Sequence, residues 1–453
     1  MRYLLALVVI LALAFGGFWV YAGRGGAPVI TIDKPQTLVG QTGTLDVVVT
    51  TPGGKLSELN ATLEQGGQSV ALFSLAQPAG ATLKQEGAEA IRLTRGIGRA
   101  DIPQLKSGDA RITITAARTG PFGLRRQVSA ATRSFQVRLE PPRVAVLSTH
   151  HFVNLGGAEA VVYRVTPADV VSGVKVGEDE YPGFALSGAG VSADPSIKIA
   201  FFALLFDQDV NTPFTVFARD EAGNGASAPL DAKVFSKNFR RSRIEVAQPF
   251  LQRAVPAILQ NTPGFTASNP SDLLQSFLEI NRDLRQKNAQ QIAALAKSTA
   301  KEMLWQGAFL QLGNSQVESL FADHRTYFYE NKEIDQQVHL GFDLAVTSAV
   351  PVVAANKGRV VNADFLGIYG NCVILDHGMG VQSLYAHLSS IDVKVGDTVE
   401  KGQTLGRSGM TGLAGGDHLH FTMLVNGHPV NAVEWWDAHW IEDRVMRKIR
   451  EAR

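Results

Sequence analysis

The chain has 453 residues, a net charge of +1, and 45% hydrophobic against 19% charged residues. That is length for about three domains of ordinary globular composition, and the balanced charge excludes the basic footprint expected of a nucleic-acid binder. The one cysteine, Cys372, excludes a disulfide framework or a thiolate metal cluster built within one chain.

Residues Tyr3 to Ala22 carry no charge. The stretch is about as long as a helix that crosses a bilayer, and Trp19 and Tyr21 stand near its far end, where aromatic rings favour the interface. A cleaved signal peptide, with Val20 and Ala22 before the cut, competes with this reading. The stretch is long for a signal core, so residues 1–22 are expected to be a transmembrane anchor. Either way the rest of the chain is expected outside the cytoplasmic membrane, in the cell envelope, which is the periplasm in a Gram-negative cell.

Gly23 to Pro28 forms a glycine-rich exit. From 28 to 140, short β-branched runs such as Val29–Ile32, Leu45–Val49, Arg111–Thr115 and Phe135–Leu139 are bounded by glycine or proline, which predicts a β-sandwich-like domain. Pro141-Pro142 marks its end. Residues 141–239 carry further strands, Ala160–Val165 and Ile197–Phe202, and Phe214–Asn224 resembles the last hairpin of bacterial immunoglobulin-like domains. His150 and His151 are adjacent, so on a strand they face opposite ways; they are expected on the surface or in a loop.

The composition changes at about residue 240. Ser268 to Asp272 carries capping signals ahead of an apolar series at Leu273, Leu274, Phe277, Leu278 and Leu284, continued by Ile292, Leu295 and Met303. This predicts a helical region over 240–310, reaching to about Gly307. Its stripe must pack on the following domain or on an envelope protein partner; packed over a groove, it would limit access. Residues 311–437 form a last domain paced by valine, glycine and short alternating runs. The tail 438–453 predicts a basic docking helix with Ile441, Val445 and Ile449 on one face.

That last domain contains His339-Leu340-Gly341-Phe342-Asp343, then Tyr385-Ala386-His387-Leu388-Ser389, then His418-Leu419-His420-Phe421. Imidazole and carboxylate are ligands that zinc accepts, three of them with a water in a catalytic site. Residues two or four apart on a strand share a face, so His339 with Asp343 and His418 with His420 can each point one way. Two further histidines would serve proton transfer and oxyanion stabilisation.

The segment from Val338 to Asn431 resembles the lysostaphin-type (LytM-like) zinc metallopeptidases that cut peptidoglycan peptides. The motifs above carry the resemblance, together with Pro351–Ala355, Gly358–Val361, Tyr369–Gly378, Val395–Val399 and Gly402–Gly406. It implies a zinc held by His339, Asp343 and His420, with His387 and His418 as the catalytic histidines. It also implies a small barrel-sandwich fold with an open groove. Departures from the family pattern are Leu340 and Phe342, Asp417 in place of proline, Thr422 in place of glutamate, and Ala432 in place of proline. An acid at Asp417 could alter the loop or hydrogen-bond a ligand histidine.

The remaining residues have quieter expected roles. Arg325 either meets a substrate carboxylate or pairs with an acid, and pairing is favoured. Tyr385 lines the groove or sits in the core. His377 and Cys372 are expected to be structural, His428 exposed, and Trp435 and Trp436 core or docking residues.

The expected architecture is therefore multidomain and mainly β: a membrane helix, two β-sandwich-like domains, a helical region, an all-β barrel-sandwich peptidase domain and a C-terminal helix. The expected function is zinc-dependent hydrolysis of cross-links or stem peptides of peptidoglycan. A non-hydrolytic envelope scaffold, or an activator of other wall hydrolases, is the alternative.

Overall fold

The computed structural model describes residues 2–22, 26–53, 55–78, 80–119 and 126–452. The chain divides into two compact units, one of residues 1–142 with 219–225, the other of residues 143–218 with 226–453.

The first helix, Arg2–Ala22, exposes Leu7 to Leu11, Leu13 and Phe15, each 51–71% open to solvent. Among the described residues no helix is long and apolar enough to cross a membrane, which does not support the spanning anchor expected here. The side chains of Trp19, Val20, Tyr21 and Ala22, and residues 23–25, lie outside the described set.

The rest of the first unit is the predicted pair of sheets. Strands Val29–Lys34, Thr44–Thr50, Ala90–Gly96 and Thr82–Glu86 form one; Leu38–Val39, Gln127–Val137, Gly108–Thr119, Lys55–Gln65 and Gln68–Ser74 form the other. Alternation does what the sequence implies: Leu45, Val47 and Val49 are buried while their neighbours are not, and they meet Leu59, Ile112 and Ile114 in one core.

The second unit starts with another two-sheet segment. Its sheets run Arg143–Val146, Ala158–Thr166, Ile197–Ala203, Phe184–Ala185 and Asp179–Pro182, Val171–Val176, Phe214–Arg219, Gly225–Pro229. Strand Ala158–Thr166 is buried at nearly every position because its outer face is covered by the C-terminal helical turns, where Ile441, Val445 and Ile449 are all buried. His151 departs from the surface placement expected of it. It is 5% exposed, with Nε2 2.9 Å from Ser148 Oγ and Nδ1 3.2 Å from the Asp231 carbonyl. Burial pushes its imidazole down to about 4, helped by the Lys448 charge. His150 is exposed.

Under the C-terminal helix lies a buried ion pair. Lys448 Nζ donates to Glu159 Oε1 at 2.9 Å and to the Ala160 carbonyl at 2.8 Å, and both side chains are at most 3% exposed. Breaking one side of such a pair leaves an uncompensated charge, so Lys448→Met is expected to destabilise the protein by about 3–5 kcal/mol. Denaturant unfolding of wild type and variant measures this; equal midpoints would refute it.

The helical region comprises Gln248–Asn261, Leu273–Glu279, a π turn Ile280–Leu284, and Arg285–Ala296. Asp272 caps it as the sequence implies, accepting from Gln275 N at 3.0 Å. Phe277, Leu284 and Ile292 are buried. The helix stops at Ala296 and does not reach Gly307. Thr299 Oγ1 and Ala300 N instead donate to Asp376 at 2.7 and 2.8 Å, a side-chain acceptor that replaces the next helical carbonyls.

The last domain is an eight-stranded sheet with two small companions. Its path runs Gln316–Ser319, Phe342–Ala345, Leu419–Val425, Val381–Leu388, Asn371–Gly378, Gly358–Phe365, Thr398–Val399, with His428–Val430 added beside Leu419–Val425. One companion is Pro351–Val353, Thr404–Arg407, Ser390–Ile391; the other is Arg241–Glu245, Asp323–Tyr329, Lys332–His339. The barrel expected from the family resemblance is corrected: among the described residues the end strands of the long sheet do not pair with each other, so it stays open. Its core joins Tyr385, Phe421, Trp435 and Trp305.

Candidate active site

The long sheet places Asp343 directly across from His420, and Phe342 from Phe421. On the other side of the H-x-H strand, Ala386 faces His420. His339 arrives differently. It ends strand Lys332–His339 in the neighbouring small sheet, and Leu340-Gly341 carries the chain across to Phe342. The shared strand expected for His339 and Asp343 is therefore corrected to two strands that converge. Gly341 makes this approach possible, because a Cβ there would lie 2.5 Å from the His420 ring and from Thr422 Oγ1. His418 lies just before its strand, bridged to Gly409.

Three side chains meet. His339 Nε2 lies 2.9 Å from Asp343 Oδ1 and 2.9 Å from His420 Nδ1, and His420 Nδ1 lies 3.0 Å from Asp343 Oδ1. One ligand atom from each falls within 4.8 Å of the others. The far nitrogens are engaged elsewhere. His339 Nδ1 donates to the Leu320 carbonyl at 3.0 Å, and His420 Nε2 donates to Thr422 Oγ1 at 3.0 Å, which passes its own proton to the Leu340 carbonyl. Both inward-facing nitrogens are thus left as bare lone pairs. With a carboxylate oxygen between them, the donor set fits a divalent metal that accepts nitrogen and oxygen.

Arg325 takes the other carboxylate oxygen, donating to Asp343 Oδ2 at 2.8 Å and to Ser319 Oγ at 2.7 Å. Oδ1 is thereby left facing the nitrogens of His339 and His420. Burial alone would raise the Asp343 carboxyl; His339 first, with His418 and His420, holds it well below the usual range. Burial pushes His420 down to about 4.

His387 and His418 stand beside the triad. Their rings are 4.9 Å apart, and His387 lies 5.7 Å from His420. Each donates Nδ1–H to a carbonyl, His387 to Thr411 at 2.8 Å and His418 to Gly416 at 2.9 Å, so each presents Nε2 inward. Burial, then the neighbouring histidines, lowers His387 well below its ordinary value. Burial would lower His418 too, but the Asp343 hydrogen bond and charge raise it. His387 holds a left-handed backbone, φ 61°, a strained conformation of the sort that clusters at functional sites.

Other expectations sort by contact. Asp417 does not touch a ligand histidine; it accepts from Ser348 Oγ, Ala349 N and Ser408 Oγ, pinning the loop. Tyr385 is a core residue, 1% exposed, its hydroxyl accepting from Ala355 N at 2.7 Å. His377 and Cys372 are fully buried. His428 is half-buried against Tyr181, with ring centroids 5.6 Å apart, and so is not the exposed turn residue expected.

Sequence reasoning allowed for the helical region over a groove but missed the polar residues that it contributes to the wall. The site opens into a cavity of about 420 Å3, and Phe250, Phe277, Asn281 and Arg285 of the helical region line it opposite the histidines. Arg253 fastens this region to the loop before the H-x-H strand, reaching Met410 Sδ at 3.0 Å and the Ala414 carbonyl.

Residues 337–432 match peptidase family M23. The last domain is an M23 domain. Peptidoglycan DD-endopeptidase ShyA of Vibrio cholerae is 42% identical over 96 residues, 21% of this chain and 22% of that protein. DD-carboxypeptidase/endopeptidase Mpg of Neisseria meningitidis is 40% identical over 97 residues, 21% of this chain and 22% of that protein. The chain thus spans about a fifth of these relatives' length. Among solved structures, the catalytic domain of lysostaphin from Staphylococcus simulans is 29% identical, with a TM-score of 0.26, covering 29% of this chain and 98% of that one. The M23 assignment makes this a metalloendopeptidase domain, with His339, Asp343 and His420 as its candidate metal ligands.

Thr422 is the side chain that fixes the His420 tautomer in the M23 domain. Thr422→Val keeps the shape and removes that acceptor, so metal affinity is expected to fall about 10–100-fold with the fold intact. Competition against a chelating dye measures it; unchanged affinity would show that Thr422 does not orient the ligand.

Proposed function

We propose that the protein is a zinc-dependent endopeptidase that hydrolyses cross-links or stem peptides of peptidoglycan in the cell envelope. The observation that carries this reading is the convergence of His339 Nε2, Asp343 Oδ1 and His420 Nδ1 within 4.8 Å, with His387 and His418 alongside. Two imidazoles and a carboxylate form a donor set that zinc favours, with a fourth position for water. Bound there, zinc would supply an acidified water and a polarised peptide carbonyl. The chain's own residues do the rest. Arg325 holds Asp343 by one oxygen. His387 and His418, with Nδ1 tied back, present Nε2 to the reacting atoms, where the tasks are taking a proton from the nucleophile and hydrogen-bonding the oxyanion. The name of the Vibrio relative, a peptidoglycan DD-endopeptidase, supports peptidoglycan as the substrate class. The exposed apolar side chains of helix Arg2–Ala22 support delivery to the envelope at the cytoplasmic membrane.

Digestion of purified peptidoglycan by the zinc-loaded protein, with separation of the released muropeptides, tests this. Peptide-bond cleavage that a chelator stops and zinc restores is the expected result. Intact peptidoglycan after incubation with fully zinc-loaded protein would overturn it.

A further inference from the structure

The groove has two walls of different chemistry. One holds the metal ligands with His387 and His418; the other is built by the helical region and carries Arg285. The charges on this cavity are mostly spent. Arg325 faces Asp343 at 2.8 Å, and Glu245 faces Arg243 at 2.6 Å. Arg285 is different. Its Nε donates to the Asn281 carbonyl at 3.0 Å and its Nη2 to Asn281 Oδ1 at 2.6 Å, and among the described residues no carboxylate pairs with it.

Its support is rigid. Asn281 is fully buried and donates Nδ2 to Asp335 Oδ2 at 2.8 Å, while Arg282 takes Asp335 Oδ1 at 2.9 Å. Asp335 is therefore answered by Arg282, and Arg285 is braced through a neutral amide. The brace starts in the π turn Ile280–Leu284, a wide turn that recurs at functional sites. Asn281 lines the cavity from it, and Arg285, four residues on, from the start of the helix that follows. Tyr369 connects the two walls: its ring lies 5.7 Å from that of His420, and the Arg285 charge opposes the burial that raises its phenol to about 12. Phe250, Phe277, Tyr327, Ile368 and Leu413 make the intervening lining apolar, and a low-dielectric lining strengthens any ion pair formed inside it.

We propose that Arg285 is a substrate-carboxylate receptor, contributed to the M23 groove by the helical region, which takes a free carboxylate of the peptide while the scissile bond lies at the metal. Arginine has five N–H donors in a planar fork, and the described contacts use two. The remainder suits the two oxygens of a carboxylate. Arg285 is thus a specificity-determining residue, and the helical region part of the binding site. The inference rests on the peptidase reading for the identity of the peptide.

The test compares a cross-linked stem-peptide dimer bearing its free carboxylates with the same dimer in which they are carboxamides. Binding is followed by calorimetry and cleavage by chromatography, using the metal-loaded full chain, Arg285→Gln and Arg285→Lys. Wild type should bind the carboxylate form about tenfold more tightly, the loss expected when a charge-assisted hydrogen bond is removed. Arg285→Gln should erase that preference and leave the carboxamide form unaffected, with Arg285→Lys intermediate. A preference that survives in Arg285→Gln, an equal loss for both peptides, or binding of neither would overturn the proposal. Arg285-dependent binding of a peptide that is never cut would instead sink the peptidase reading and leave this one standing.

Discussion

Replacing His339 with alanine is expected to abolish stoichiometric metal binding and, with it, hydrolysis. The triad has one ligand atom per side chain, so the substitution leaves a carboxylate and one imidazole where a catalytic zinc uses three protein ligands. The loss extends further. Asp343 forfeits the neighbour that does most to keep its carboxyl ionised, and the Leu320 carbonyl loses its donor. Disturbing only the groups behind a ligand already costs about 10–100-fold in metal affinity, so removing a ligand atom should exceed about 100-fold. Metal-to-protein ratios after dialysis against a weak chelator measure this, with Cys372→Ser as a control at a buried thiol. A His339→Ala protein that retains one metal per chain would remove His339 from the ligand set.

The site was legible in the sequence to different depths at different residues. Strand alternation implied that Asp343 and His420 share a face, and they stand opposite each other, because Phe342, Leu344, Leu419 and Phe421 needed a core to point into and the two candidate ligands lie between them. Spacing also implied that His339 meets Asp343, which it does, but by another route. Four residues of separation suggested one strand, whereas the chain changes sheets at Gly341, and that glycine is required by the ring of His420, which is remote in sequence. Thr422 and Asp417 both stood out as departures, and their chemistry could be read only from their partners. Thr422 faces a ligand nitrogen; Asp417 faces a loop. His151 was hidden for the same reason, its partner being the carbonyl of Asp231.

The helical region shows the limit most clearly. Its apolar stripe announced that it must be buried, on the following domain or on a partner, without fixing which. Phe277 and Leu284 pack with Tyr327 and Ile368, so the stripe closes one wall of the groove, and the cavity beside the triad persists. The π turn that places Asn281 and Arg285 has no signature in hydrophobic periodicity. The parallel pairing of Arg241–Glu245 with Asp323–Tyr329 joins segments about eighty residues apart, a separation that local pattern cannot reveal.

His387→Ala and His418→Ala are each expected to keep the metal and lose hydrolysis by about 100-fold or more, the usual cost of removing a general base or an oxyanion donor. Metal retention follows from geometry. The converging ligand atoms belong to His339, Asp343 and His420, and the Nδ1 atoms of His387 and His418 are committed to the carbonyls of Thr411 and Gly416. The loss of rate follows from what remains exposed, since Nε2 of each ring is the atom left facing the cavity that the peptide must enter. The two variants should differ in a second respect. His418 Nε2 lies 3.4 Å from Asp343 Oδ1, so its removal also relieves a contact on a metal ligand; His387 makes its nearest ring contact with His418. Metal affinity should therefore shift slightly in His418→Ala and stay unchanged in His387→Ala, while turnover falls in both. Single-turnover cleavage at saturating metal, paired with a metal titration of each variant, separates the two effects. Near-normal turnover in both would mean that proton transfer and oxyanion stabilisation are carried by other groups in the groove.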